Sequence, residues 1–291
     1  MSRLQVFSEL CHFLSQLRSQ KFNFSGYFLQ VRLVTLSASQ VRHTFTFLTS
    51  STAAATLHSR VYPDSNYGLL NYLGRPRIVV AADGSGNFRT IRGAVARAPL
   101  NSLKPYFIHI RRGVCQDYVT INKPHIALVG EGSDVTSITG SRSVTVHDME
   151  NSTTVIIEAP RFMAINLTIE NSSPQENGQA VALRISSDQS MLYRCAIRGN
   201  QDTLYDYEGR QFYKHCTITG TVDFLFGFAA AVFQSCNILS RNGATTVISA
   251  HGRNSTRDKT GFVFQFCRIA RERDRFAGPK PPRNMHYAEH S

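Results

Sequence analysis

The fold class this sequence predicts is all-β, a solenoid of parallel strands whose open first coil is capped by one short helix. Three observations predict it. A six-residue pattern of large apolar, two variable, Cys, one variable and Ile recurs as Leu192-Tyr193-Arg194-Cys195-Ala196-Ile197, Tyr213-Lys214-His215-Cys216-Thr217-Ile218, Phe233-Gln234-Ser235-Cys236-Asn237-Ile238 and Phe264-Gln265-Phe266-Cys267-Arg268-Ile269. Its cysteines lie 21, 20 and 31 residues apart. Strand-like runs bounded by Gly, Asn and Asp extend upstream, and only residues 90–97, begun at Thr90 and stopped by Pro99, read there as helix.

In chain order, the upstream runs place strands at 78–81, 106–110, 125–129, 143–146, 153–157 and 164–169. The helix between the first two would cover the end of the solenoid. The longest cysteine gap implies a loop insertion within residues 241–259. Cysteines at one position of every coil read as small buried thiols on one interior wall, near enough between coils for a disulfide. No His joins the pattern, so no metal site is expected.

A chain of 291 residues with 42% apolar content can bury a large core, and it holds no apolar run of membrane-spanning length. The formal charge of +12 favours a polyanionic partner: nucleic acid, an anionic membrane surface or an acidic polysaccharide. The scattered basic residues, without zinc-finger spacing or an RNA-binding aromatic motif, argue against nucleic acid. Residues 1–60 hold Glu9 against six Lys and Arg, a composition closer to an organelle transit peptide than to a secretory signal; a poorly ordered extension is the preferred reading. The expected organisation is an extension over 1–75, a β-helix domain over 76–270 and a Pro-containing disordered tail over 271–291. Asn-x-Ser/Thr sequons at Asn23, Asn151, Asn166, Asn171 and Asn254 permit glycosylation if the chain is secreted.

The repeat also phases two acidic residues. Asp202 and Asp223 are 21 residues apart, and each follows a cysteine, Cys195 or Cys216, by seven. Equivalent positions stack roughly 4.8 Å apart on adjacent coils, so the two carboxylates would face one small substrate. Read alone, Asp202 fits equally a turn residue that accepts backbone amides. Asp223, between Val222 and Phe224-Leu225-Phe226, reads as an interruption of a strand and is costly to keep there without a partner.

From about residue 78 to 269 the chain resembles the plant pectin methylesterases, or pectinesterases. The resemblance is carried by Val79-Val80-Ala81-Ala82-Asp83-Gly84-Ser85-Gly86-Asn87-Phe88, Gly178-Gln179-Ala180-Val181-Ala182-Leu183-Arg184, Gln201-Asp202-Thr203-Leu204-Tyr205, Arg210-Gln211-Phe212-Tyr213 and Gly220-Thr221-Val222-Asp223-Phe224-Leu225-Phe226-Gly227. It implies a right-handed parallel β-helix secreted to the cell wall, a monomer without cofactor or metal, acting on methyl-esterified homogalacturonan. By the resemblance Asp223 is the nucleophile and Asp202 the acid, later the base for water. Two neighbouring carboxyls do not readily ionise together, which suits that division. Gln179 and Gln201, 22 residues apart, could aim amide donors at the developing oxyanion, or could be ladder residues on stacked coils.

The sequence also departs from the family pattern. A Leu-Gly-Arg-Pro-Trp segment, whose Arg keeps the nucleophile ionised and whose Trp lines the sugar cleft, has no counterpart after residue 269, and the chain contains no Trp. Tyr72-Leu73-Gly74-Arg75-Pro76-Arg77 spells something similar but precedes the repeats, and Arg75 is left out of the site. Phe228 and His251 replace the usual Asn and Gln, and His147-Asp148-Met149-Glu150 lacks an expected Thr. The resulting expectation is a truncated chain of weak esterase activity, unless another Arg, Arg253 first, supplies the charge. The alternatives are an inactive pectin-binding pseudoenzyme and a pectate lyase; for the latter no calcium-ligand cluster is visible.

Overall fold

The computed structural model describes residues 78–241 and 245–272. The expected extension over 1–75, the segment containing Arg75 and the tail from 273 lie outside the described residues. Three parallel sheets of eight, seven and six strands surround one apolar interior. The chain visits them in a fixed order. Ser190–Tyr193 of the first sheet leads to Ala196–Arg198 of the second and Leu204–Glu208 of the third, and Arg210–Lys214 then pairs beside Ser190–Tyr193. The register Ser190 to Gln211, Arg210 to Ala230 and Ala230 to Gly261 advances by 21, 20 and 31 residues, the spacings of the cysteines.

Each coil is held from above and below by main-chain ladders, while its inward side chains form columns. Ile169, Ile197, Ile218 and Ile238 are in register and fully buried. Tyr213 and Phe233 stack at 4.6 Å between ring centroids, and Phe233 and Phe264 at 5.0 Å. Full burial of such a side chain is worth about 1.5–3 kcal/mol, so the columns are the main cohesive force between coils. Cys195, Cys216 and Cys236 are buried in the adjacent column as free thiols, with Cys216 Sγ donating to the Leu192 carbonyl.

The repeated pattern marks a corner. The residue before each cysteine has left-handed backbone: Arg194, His215, Ser235 and Phe266, like Asn166 one coil earlier, have φ between 52° and 55°. This geometry turns the chain from the first sheet to the second in two residues. It also splits the strand expected over 164–169 into Met163–Ile165 and Thr168–Asn171.

The helix forms at Ile91–Arg97, where Thr90 caps it by accepting from the Gly93 amide. The second coil completes both ends: the Asp117 carboxylate accepts from the Ile91 and Arg92 amides, and Lys123 Nζ donates to the carbonyls of Val95, Ala96 and Ala98. One other expectation is corrected. Residues 143–146 are a turn, since the Ser143 carbonyl accepts from the Val146 and His147 amides and no strand runs beside them. The insertion over 241–259 contains a strand, Ser249–His251, on the third sheet. The last strand, Arg268–Arg271, reaches the first residue of the expected tail.

The interior also holds a carboxyl. Asp206, on Leu204–Glu208, is fully buried between Ile185 and Gly227 of the neighbouring coils. Tyr213 Oη donates to Oδ1, and Oδ2 meets no partner among the described residues. Burial pushes this carboxyl from its ordinary 3.8 up to about 7, against the Tyr213 hydrogen bond that lowers it. A raised folded-state pKa contributes stability that is present below 3.8 and lost as pH rises through about 7. Asp206→Asn should therefore flatten the fall in melting temperature between about pH 4 and 7, a loss on the order of a few kcal/mol in the parent chain. Thermal unfolding across that range checks it; parallel falls in parent and variant would sink the assignment.

Candidate active site

The corner between the second and third sheets carries the two aspartates. Asp202 and Asp223 have φ of 61° and 49°, a left-handed conformation that Asp tolerates better than most residues. Asp223 therefore occupies a turn and does not interrupt a strand, which corrects the expectation from its apolar neighbours. The register Leu204 to Leu225 and the bond from the Asp202 amide to the Val222 carbonyl, 3.0 Å, place Asp223 one coil beyond Asp202. Two glycines of the second motif permit this packing. A Cβ at Gly220 would lie 2.2 Å from Phe224 Cβ, and one at Gly227, where φ is 127°, would lie 1.9 Å from the Asp206 carbonyl oxygen.

Gln179 and Gln201 come together one coil earlier, bridged through their backbones in parallel register. Gln179 Nε2 donates to Asp202 Oδ2 at 2.9 Å. Asp202 is 3% exposed and Asp223 is half-buried. Burial pushes Asp202 from 3.8 up to about 6; the Gln179 hydrogen bond lowers it, and the negative charge of Asp223 raises it further. Asp223 is also raised, by burial. Repulsion between the two carboxyls is mutual, so they titrate as a pair, and the deeper burial of Asp202 favours the proton staying there.

Arg253 is engaged within its own loop, donating to the carbonyls of Ser255, Thr256 and Thr260, and its amide donates to His251 Nδ1. Among the described residues no group of three or more His, Cys, Asp or Glu side chains is placed to hold a metal ion. No described helix is long and apolar enough to cross a membrane.

Beside the carboxyls, the outward face of the third sheet is aromatic. Tyr205 and Phe226 stack at 4.2 Å with an interplanar angle of 14°. Arg184 lies over Tyr205 and Tyr207 and pairs with Glu150 at 2.5 Å. These aromatic residues were not singled out from sequence, although the signal is there: in both coils an aromatic residue stands three and five positions after the aspartate.

A family model described as Pectinesterase matches residues 77–286. The chain belongs to the pectinesterase family. "Probable pectinesterase 56" of Arabidopsis thaliana is 46% identical over 203 residues, 68% of this chain and 70% of the relative. "Probable pectinesterase/pectinesterase inhibitor 32" of the same plant is 47% identical over 202 residues, 67% of this chain and 38% of the relative. The solved pectin methylesterase from carrot aligns with a TM-score of 0.67 and 41% identity, over 68% of this chain and 64% of that one. A pectin methylesterase in complex with a hexasaccharide aligns with a TM-score of 0.63 and 31% identity, over 68% and 67%. This pectinesterase chain accordingly spans only part of the length of each of these relatives, and its fold is the right-handed parallel β-helix of its structural neighbours.

All four residues selected from sequence, Asp202, Asp223, Gln179 and Gln201, fall in one cluster of this pectinesterase fold. The electrostatics can be checked without any substrate. Asp223→Asn should lower the Asp202 pKa below about 6 by removing a neighbouring negative charge, and Gln179→Ala should raise it by removing a donor. Carboxyl-carbon NMR titration of the two variants reads both directions, and shifts of the same sign would show that the pair is not coupled as described.

Proposed function

We propose that this pectinesterase chain hydrolyses methyl esters of homogalacturonan, releasing methanol, as an aspartyl esterase of the cell wall. The observation that carries the reading is the stacked carboxyl pair, one member deeply buried and held by the Gln179 amide, with Gln201 in register beside Gln179. The family match supports the substrate class, and a structural neighbour solved with a hexasaccharide supports a chain of sugars as ligand. The positive charge of +12 suits an acidic polysaccharide. We read the protein as secreted and monomeric, with the domain over 76–270 as the catalytic unit.

In the first half-reaction an Asp223 oxygen attacks the ester carbonyl carbon. The oxyanion that forms is met by amide protons of Gln201 and Gln179; the latter has a second proton free to donate while the first holds Asp202. The carbon–oxygen bond to the methoxy group breaks as Asp202 gives its proton to the leaving oxygen, so methanol departs and an acyl–Asp223 anhydride remains. In the second half-reaction Asp202, now ionised, takes a proton from water as the water attacks the acyl carbon. The bond to Asp223 breaks, returning its carboxylate, and the galacturonic acid leaves.

Methanol release from esterified pectin, measured with and without calcium, tests the reading. Asp223→Asn should abolish release while leaving pectin binding nearly intact, and Gln201→Ala should lower turnover roughly a hundredfold. Asp202→Asn should slow both methanol departure and deacylation. Full activity of Asp223→Asn would remove the mechanism. Binding with background methanol release by the parent chain would favour a non-catalytic pectin binder.

A further inference from the structure

The aromatic face beside the carboxyl pair has two steps, and the second takes no part in the ester chemistry. Tyr205 and Phe226, three residues after their aspartates, form the near step, and Tyr207 and Phe228, five residues after, form the far one. Alternation along Leu204–Glu208 buries Leu204 and Asp206 and turns Tyr205 and Tyr207 outward. Tyr205 and Tyr207 meet edge to face, 5.4 Å between ring centroids at 82°, so the far step adjoins the near one at a spacing on the scale of a sugar ring.

The far step is built. Tyr207 and Phe228 meet edge to face, 6.1 Å between centroids at 89°. Phe228 lies against Gly252 of the next coil, where a Cβ would fall 2.2 Å from its ring. Phe228 is nonetheless 50% exposed, an apolar surface left open next to the site. Arg184 sits 4.9 Å from the Tyr207 centroid, and its charge is answered by Glu150. The described cation set over Tyr207 is thus a paired one, and the negative faces of such rings disfavour a carboxylate.

Resting on the esterase reading above, we propose that Tyr207 and Phe228 form a specificity step that holds the ring of a methyl-esterified galacturonate neighbouring the residue under attack. The uncharged ester ring lays its C–H face on Phe228, while Tyr207, fixed by Arg184, sets the ring's orientation. The step thereby favours stretches in which successive residues carry esters.

The absence of Trp from the chain supplies a direct probe, since Phe228→Trp introduces a single indole at the far step. In an Asp223→Asn background, which keeps the ligand intact, methyl-esterified and free-acid oligogalacturonides are titrated while indole emission and calorimetric heat are recorded. The emission should shift and saturate with the esterified oligomer at lower concentration than with the free acid. Phe228→Ala in the same background, shown folded by its melting curve, should bind the esterified oligomer roughly three- to tenfold more weakly, and Phe228→Tyr should restore binding. Calorimetric binding with unmoved emission, unchanged affinity in Phe228→Ala, or tighter binding of the free acid would each overturn the step. A responsive indole in a parent chain that releases no methanol would sink the esterase reading and leave the step standing; no binding of either oligomer overturns both.

Discussion

Coils can stack in register only if every corner turns in the same way, and in this chain corner residues are held in left-handed backbone to do so. Asn166, Arg194, His215, Ser235 and Phe266 form one such column, and Asp202 and Asp223 belong to another. Bulky or charged residues in this conformation are strained, and they persist because the ladders on either side over-determine them. The geometry of the site follows from that constraint. Once Leu204 pairs with Leu225, Asp223 has one place to be, directly along the axis from Asp202.

The same stacking sets the electrostatics. Bringing equivalent acidic positions together on adjacent coils makes each carboxyl part of the other's environment, and coverage by the coils removes water from Asp202 more completely than from Asp223. The asymmetry that the proposed mechanism calls on, one group attacking and another donating a proton, would thus arise from unequal burial of two chemically identical side chains. Asp206 shows the inward limit of the effect: it lies between Tyr205 and Tyr207 of the outward aromatic face, is itself fully enclosed, and burial raises its carboxyl to about 7.

The aromatic face extends the logic sideways. Rings at equivalent positions of two coils are brought into contact by the ladder, as with Tyr205 and Phe226, and a glycine in the next coil leaves room for Phe228. A repeat that seems to concern only the core therefore also organises the outer surface, because alternation gives every inward column an outward neighbour.

The solenoid class, the repeat lengths and the common phase of Asp202 and Asp223 were legible in the sequence, because a column of equivalent inward positions leaves a periodic trace of cysteine and isoleucine; the capping helix was legible from Thr90 and Pro99, and Gln179 and Gln201 from the family motifs. The short strands of the third sheet, such as Leu225–Gly227 and Ser249–His251, left no such trace; three residues are too few to show a period. The turn at 143–146 misled because its β-prone residues have no neighbouring strand, a fact of tertiary placement. By itself the sequence determined which residues recur and in what phase. Only the tertiary structure decided that Asp223 sits in a left-handed corner, that Gln179 donates to Asp202, and that burial separates the two proton affinities, since each depends on what the adjacent coil covers.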